Sequence, residues 1–246
     1  MLLDNTALVV GASRGLGRGI ATSLAAAGAD VVALARSEAS LAELSHAPGV
    51  IRTESADAAE PAVAGSLIDR YEPRLLVLVA GAAPPVLPLL EQTWQTLSVN
   101  WHADVRIAFN WLQAALRKPL APGSRVVLFS SGAALQGSPL SGGYAGAKAT
   151  QRFLAAYAQE EANRIGLEIN ITVLMPRLTP LTELGRPAVT AYAERQGKSE
   201  AEYLQQFGEP LSPQGAGAAV LELASAPPDS LAAVYLLTGD GLKPLT

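Results

Sequence analysis

Short apolar runs rich in β-branched residues alternate along this chain with longer stretches whose apolar positions recur at helical spacing. Thr6–Val10, Val31–Ala35 and a weaker Val50–Glu54 read as strands. Between them, Gly15–Ala27, closed by Gly28, and Glu38–Leu44 read as helices. Leu75–Val79 is apolar at every position, as a parallel strand buried on both faces should be. Thr93–Leu116 then reads as a helix, Arg125–Phe129 as a strand, and Tyr144–Ile165 as a helix closed by Gly166. Glu168–Leu174 and Ala233–Thr238 read as the last strands. This βαβα rhythm predicts one α/β domain over 1–246, built on a doubly wound parallel sheet of about seven strands. Residues 176–207 break the rhythm: they are polar, contain prolines and are read as holding one helix, and so long an insertion after a strand predicts a lid over a binding site.

Composition narrows the class. With 246 residues and 49% apolar content, the chain can bury a large single core. Its net charge of −4 disfavours nucleic acid or an anionic membrane as partner. The absence of cysteine excludes disulfides, thiolate metal sites and thiol catalysis, and fits a reducing compartment. Asp4 followed by a strand does not resemble a secretory leader, and the apolar stretch Leu75–Leu90 is short and interrupted by Pro84, Pro85 and Pro88. A cytoplasmic protein without a membrane span is expected.

Two motifs carry candidate chemistry. Gly11-Ala12-Ser13-Arg14-Gly15-Leu16-Gly17 lies between the first strand and the first helix. Glycines there permit tight backbone angles and let N–H groups approach a pyrophosphate with no Cβ in the way, while the helix N-terminus adds partial positive charge. The same residues match G-x-S-x-G, the nucleophile elbow of serine hydrolases. That chemistry needs an acid and then a histidine further along the chain, whereas His46 and His102 both fall in the first half. An ordinary strand-to-helix connection is the plainer alternative.

The second motif is Tyr144-Ala145-Gly146-Ala147-Lys148, with Ser131 upstream at the end of a strand. Tyr144 and Lys148 share a helix face. A free phenol stays protonated well above neutral pH. Drawing it down to pH ~7 takes about 4 kcal/mol, and an ammonium ~4 Å away at an effective dielectric of ~20 supplies energy of that order. Ser131 could orient a substrate carbonyl. Taken alone, the pair could equally be an aromatic anchor and a snorkelling lysine.

Together these features resemble the short-chain dehydrogenase/reductase (SDR) family over nearly the whole chain. The resemblance rests on the glycine turn, Asp57, Val99-Asn100, Ser130-Ser131, Tyr144 with Lys148, Pro176, and Leu237-Thr238-Gly239-Asp240-Gly241. It implies a Rossmann-type fold and a catalytic tetrad of Asn100, Ser131, Tyr144 and Lys148. Tyr144 would be the general acid/base and Ser131 would hold the substrate oxygen. Lys148 would favour the ionised phenol and bind the nicotinamide ribose, supported by Asn100 through a water-linked proton relay. Cofactor contacts would come from Gly11, Ser13, Arg14, Gly15, Leu16, Gly17, Arg36, Asp57, Ala80, Gly81, Asn100, Tyr144, Lys148, Pro176 and Thr179. No metal is implied. The chain departs from the family pattern at Val79-Ala80-Gly81, where Asn-Ala-Gly is usual, at Val10 in place of Thr, and at Arg177, which follows Pro176 where Gly is usual. A cofactor-binding homologue with a regulatory or partner-binding role and little turnover is the alternative these changes keep open.

Further expectations concern ligand and assembly. The second strand ends Ala33-Leu34-Ala35-Arg36, with a basic residue where NAD enzymes of this fold place an acid. Arg14 and Arg36 could clamp a 2′-phosphate, so NADP(H) is expected over NAD(H). The substrate would be a small, largely apolar carbonyl compound or alcohol, held by 82–86, 133–141 and 176–207. Arg177 could hold a substrate anion or simply face solvent. Trp94, Trp101, Phe109 and Trp111 in one helix, with Phe153, Leu154 and Tyr157 in another, suggest a homo-oligomer, a tetramer or a dimer.

Overall fold

The computed structural model of the chain describes residues 5–245, so the expectation at Asp4 lies outside the described residues. The chain runs β1 (Thr6–Val10), α1 (Gly15–Ala26), β2 (Asp30–Ala35), α2 (Glu38–Ala42), β3 (Val50–Ser55), α3 (Pro61–Tyr71) and β4 (Leu75–Leu78). It continues through α4 (Trp94–Asn100), α5 (Arg106–Arg117), β5 (Arg125–Phe129), α6 (Ala133–Gln136), α7 (Gly142–Arg164) and β6 (Asn170–Pro176). The remainder is α8 (Gly185–Arg195), α9 (Glu200–Gln205), α10 (Pro213–Ser225), β7 (Val234–Thr238) and β8 (Gly241–Pro244). Among the described residues the strands form one sheet in the order β3-β2-β1-β4-β5-β6-β7-β8. The first seven are parallel, as expected, and β8 adds an antiparallel edge paired with β7.

Alternation along the central strands explains why their runs are largely apolar. In β1, Ala7 and Val9 face one core with α1 and α10, where Ile20, Leu24, Val220 and Leu223 pack. Leu8 and Val10 face the other core with α3, α5 and α7, where Leu67, Ile68, Trp111 and Ala158 pack. A sheet covered on both faces has no polar side to alternate with.

Helices α3 and α10, and the short α6, escaped the pattern reading. In α3, Ala64, Leu67 and Ile68 are the buried positions, a narrow stripe between a Pro at the start and a left-handed Glu72 at the end. Helix α10 carries Ala or Gly at many of its positions. Gly217 lets it lie close on α1, since a Cβ there would fall 2.1 Å from Ser23 Oγ, and from the α1 side a Cβ on Gly19 would fall 2.2 Å from the Pro213 carbonyl oxygen. The expected helix over 93–116 is present as an unbroken helical run over 94–117, but it is not α-helical throughout. A π-helical turn, Trp101–Val105, separates α4 from α5. Such turns are a recurrent feature of functional sites. Here the Asp104 carbonyl accepts from Gln151 Nε2 of α7 at 2.9 Å.

The sheet order reverses between β1 and β4, so the turns after these two strands diverge and leave a crevice at the carboxyl ends of the strands. Residues 176–207 overhang it, with two helices, α8 and α9, where one was expected. They have a small core of their own, Val189, Ala193 and Tyr203.

Candidate active site

The crevice is a cleft of about 820 Å³. The glycine turn apart from Ala12, then Arg36, Asp57, Ala80, Gly81, Ser131, Tyr144, Lys148, Pro176 and Thr179 all line it. Asn100 does not; it is 1% exposed and lies behind the wall.

The glycine turn is shaped for close backbone approach. Gly11 (φ 102°) and Gly15 (φ 53°) occupy left-handed backbone conformations, and a Cβ on Gly17 would fall 2.0 Å from the Gly11 carbonyl oxygen. Arg14 is the N-cap of α1 and supplies no side-chain cap, and the first residues of the helix, Gly15, Leu16 and Gly17, line the cleft. Arg18 braces the turn, donating Nε to the Ser13 carbonyl at 2.9 Å. Neither histidine hydrogen-bonds Ser13 among the described residues; His102 lines the cleft and His46 is exposed. This arrangement offers glycine backbone and helix N-terminus to a phosphate group and lacks the triad that a hydrolase would need.

Strand β5 and helix α7 bring the Ser131, Tyr144 and Lys148 group together. Ser130 Oγ donates to the Lys148 carbonyl at 2.7 Å, locking the end of β5 to the first turns of α7. Lys148 is 5% exposed. Its Nζ donates to the Phe129 carbonyl at 3.2 Å and lies 5.5 Å from the Tyr144 ring centroid. Burial pushes this lysine down, but the Asp104 carboxylate and Tyr144 outweigh it and hold Lys148 above the usual lysine value. Ser131 Oγ accepts from Ala133 N at 3.2 Å, at the start of α6.

Asn100 does not reach Lys148 directly. Its Nδ2 donates to the Ala82 carbonyl at 2.8 Å and to Asp104 Oδ1 at 3.2 Å. Asp104 is the residue that touches the lysine, with Oδ2 3.1 Å from Nζ. Sequence reasoning missed Asp104. Its signal was weak: an acid four residues after Asn100, on a stretch read as an uninterrupted helix.

One end of the cleft lies beside the ends of β2 and β3, where Ala35, Arg36, Ala56 and Asp57 line it. Arg36 is exposed and has no ion-pair partner among the described residues. Arg14 pairs with Glu183 at 2.8 Å. Asp57 Oδ1 accepts from Ala59 N at 2.9 Å. Trp111 Nε1 and Asn110 Nδ2 hold the next turn through the carbonyls of Ala58 and Ala59, at 3.0 and 2.9 Å. Thr179 turns inward: its Oγ1 donates to the Leu211 carbonyl at 2.8 Å, so its hydroxyl fixes the overhanging segment to the approach of α10. Arg177 lies over the Phe207 ring at 5.9 Å and donates to the Phe207 carbonyl at 3.3 Å. Through these two contacts it straps the overhang. Tyr192 closes the far side, hydrogen-bonding Ser138 and, at 3.2 Å, Ser141.

Known proteins similar to this chain identify its family and its fold. The profile of the family described as short chain dehydrogenase matches residues 5–192. L-2,3-butanediol dehydrogenase of Corynebacterium glutamicum is 32% identical over 181 residues, 68% of this chain and 70% of that protein. L-xylulose reductase of Mesocricetus auratus is 32% identical over 124 residues, and the match spans 50% of each chain. Among solved structures, levodione reductase superposes with TM-score 0.80 at 23% identity, covering 96% of both chains. A 3-oxoacyl (acyl-carrier-protein) reductase from Agrobacterium tumefaciens C58 with NADP bound superposes with TM-score 0.76 at 28% identity, covering 96% of this chain and 93% of that one. With its sheet order, its glycine turn and the Tyr144–Lys148 pair at the head of the cleft, this chain belongs to the short-chain dehydrogenase/reductase family.

Proposed function

We propose that the protein is an NADP-dependent oxidoreductase that interconverts the carbonyl and secondary-alcohol forms of a small, largely apolar molecule. The observation that carries this reading is the charged, buried Lys148 beside the Tyr144 ring, with Ser131 on the adjoining strand end. The residues present fit a dinucleotide: the cradle between Gly11 and Gly17 is one that a Cβ would fill. Bound there, the nicotinamide would supply or accept the hydride.

The chain's own residues do the rest. Tyr144 exchanges the proton with the substrate oxygen, and Ser131 Oγ steadies that oxygen. Lys148 favours the ionised phenol and faces the ribose side of the cleft, and Asn100 supports it from behind. Gly11, Ser13, Gly15, Leu16 and Gly17 cradle the pyrophosphate. Arg14 and Arg36 clamp the 2′-phosphate, and the NADP carried by the acyl-carrier-protein reductase is in keeping with this choice. Asp57, Ala80, Gly81, Pro176 and Thr179 complete the cofactor wall.

Residues 176–207 act as the substrate lid. Leu178, Leu184, Ala188 and Phe207 present apolar surface to the cleft, and Tyr192 and Gln196 add polar tips. The butanediol and xylulose named for two relatives are small alcohol or carbonyl compounds, which supports a substrate of that size. No helix among the described residues is long and apolar enough to cross a membrane. We place the protein in the cytoplasm as a homo-oligomer.

The test is calorimetric binding of NADPH and NADH, joined to a turnover screen over aldehydes and ketones. Tighter NADPH binding with turnover supports the reading. Binding without turnover across the screen supports the regulatory alternative, and ester hydrolysis without nucleotide overturns both.

A further inference from the structure

Asp104 is fully buried, at 0% exposure, and faces a lysine that is almost as deeply buried. Its Oδ2 lies 3.1 Å from Lys148 Nζ, and apart from that ammonium Oδ2 has no donor among the described residues. The other oxygen, Oδ1, accepts from Ala82 N at 2.8 Å and from Asn100 Nδ2 at 3.2 Å. Ala82 belongs to the loop after β4, and Lys148 belongs to α7, so one carboxylate ties two walls of the cleft together. Two local features make room for it. The π-helical turn sets Asp104 inward, with its carbonyl held by Gln151. Gly81 leaves the space open: a Cβ there would fall 2.7 Å from Oδ2. The chain has Val79-Ala80-Gly81 after β4, and with no polar side chain at 79 or 80 it is Asp104 that accepts the loop's N–H.

We propose that Asp104 is a positioning residue for Lys148: it fixes the ammonium through Oδ2 and the loop after β4 through Oδ1, so that Lys148 stands charged and aligned beside Tyr144 before any ligand arrives. A buried ammonium without a counter-charge loses its proton readily. An ion pair broken at one partner leaves the other uncompensated. Asp104 and Tyr144 are the titratable groups that act on Lys148. From β5 it meets the Phe129 carbonyl, and the loop after β4 offers backbone. His102 and Arg106 flank Asp104 further along the same wall. Because Lys148 is held above its unfolded value, its contribution to stability is complete below the usual lysine range. It is lost only as pH climbs through the raised value. The inference rests on the reading of Lys148 as the partner of Tyr144 and the ribose.

The test is a pH titration of the cofactor-free protein carrying [ε-13C]lysine. Lys118, Lys148, Lys198 and Lys243 are the lysines of the chain, and Lys148→Arg assigns the signal of interest. In the wild type, Lys148 should titrate above the usual lysine value. In Asp104→Asn its midpoint should fall by at least ~1 pH unit, and NADPH affinity should weaken about 10-fold as pH rises through that new midpoint. A purely structural Asp104 would lower the melting temperature and leave the lysine midpoint in place, which overturns the proposal. A wild-type Lys148 that titrates below the usual lysine value also overturns it, and that measurement needs no variant to fold. If NADPH fails to bind the wild type, the functional reading fails, while the lysine titration still decides the role of Asp104.

Discussion

Arg14 Nη1 lies 2.8 Å from Glu183 Oε2, so the turn after β1 is joined by an ion pair to the segment that overhangs the cleft. Both side chains are exposed, and such a pair adds little to stability. Its interest is that, of the two arginines proposed for the 2′-phosphate, Arg14 already has an acidic companion, whereas Arg36 has none among the described residues. Glu183→Gln should therefore tighten NADPH binding and leave NADH binding unchanged. Arg14→Ala with Arg36→Ala should weaken NADPH binding about 10-fold or more, the scale of charge-assisted hydrogen bonds. Calorimetry reads both, and equal or tighter binding of NADH by the wild type would reject the NADP preference.

Tyr144→Phe removes a hydroxyl and keeps the ring that packs near Lys148. Nucleotide affinity should change little, and kcat should drop at least ~100-fold, the usual contribution of a general acid/base. Steady-state kinetics with any substrate from the screen measures this. Near-normal turnover would make Tyr144 a structural residue.

Gly17→Ala tests the cradle. The added methyl would meet the Gly11 carbonyl oxygen at 2.0 Å, and backbone has to move to relieve it. The expected result is NADPH affinity reduced by at least ~10-fold with secondary structure retained by circular dichroism. Unaltered affinity would show that the turn does not hold the pyrophosphate.

Trp111 tests the core. It is fully buried, and its Nε1 donates to the Ala58 carbonyl at 3.0 Å. Trp111→Ala empties the space and orphans that carbonyl, so the protein should lose about 3–5 kcal/mol of stability. A urea titration should show the midpoint falling with the slope held.

Assembly is the fifth prediction. Trp101, Phe109, Phe153 and Tyr157 remain exposed, at 43%, 47%, 63% and 66%. These rings come from the π-helical turn, α5 and α7, which pack beside one another. An exposed aromatic face of this kind suits a second copy of the chain. Light scattering at micromolar concentration should return a multiple of 25.4 kDa, and the monomer mass would reject it.

The parts of the fold legible in the sequence were those with dense apolar signals. β1, β4 and β5 stood out because strands covered on both faces have no polar positions to blur them. Helix α10 did not: it opens on Pro213-Gln214-Gly215-Ala216-Gly217, which carries no apolar stripe of large residues, and Gly217 packs against Ser23 of α1. Within the site, the glycine turn and the Tyr144–Lys148 pair are local and were readable. Asp104 was not, because its partners Ala82 and Lys148 are brought to it only by tertiary packing and by a backbone irregularity with no sequence signature. The tryptophans show the same limit: Trp111 packs inward on the sheet while Trp94 is 71% exposed, although both were read on one helix.

The π-helical turn has a consequence for chain length. An α-helix rotates by about 100° per residue, and a turn widened by about one residue shifts the angular phase of everything after it. Before the shift, Ser98 and Asn100 face inward; after it, Ile107, Ala108, Trp111, Leu112 and Ala115 do. That shift is one of sequence count alone: the wide turn takes up a residue beyond the α-helical number, so the flanking helices keep their own inward rows, Asn100 on one side and Trp111 on the other. Deleting Trp101 or His102 would let the segment close to a straight helix with both rows still inward. What the deletion would disturb is the local setting of Asp104, and the packing of α5 on the sheet should survive it.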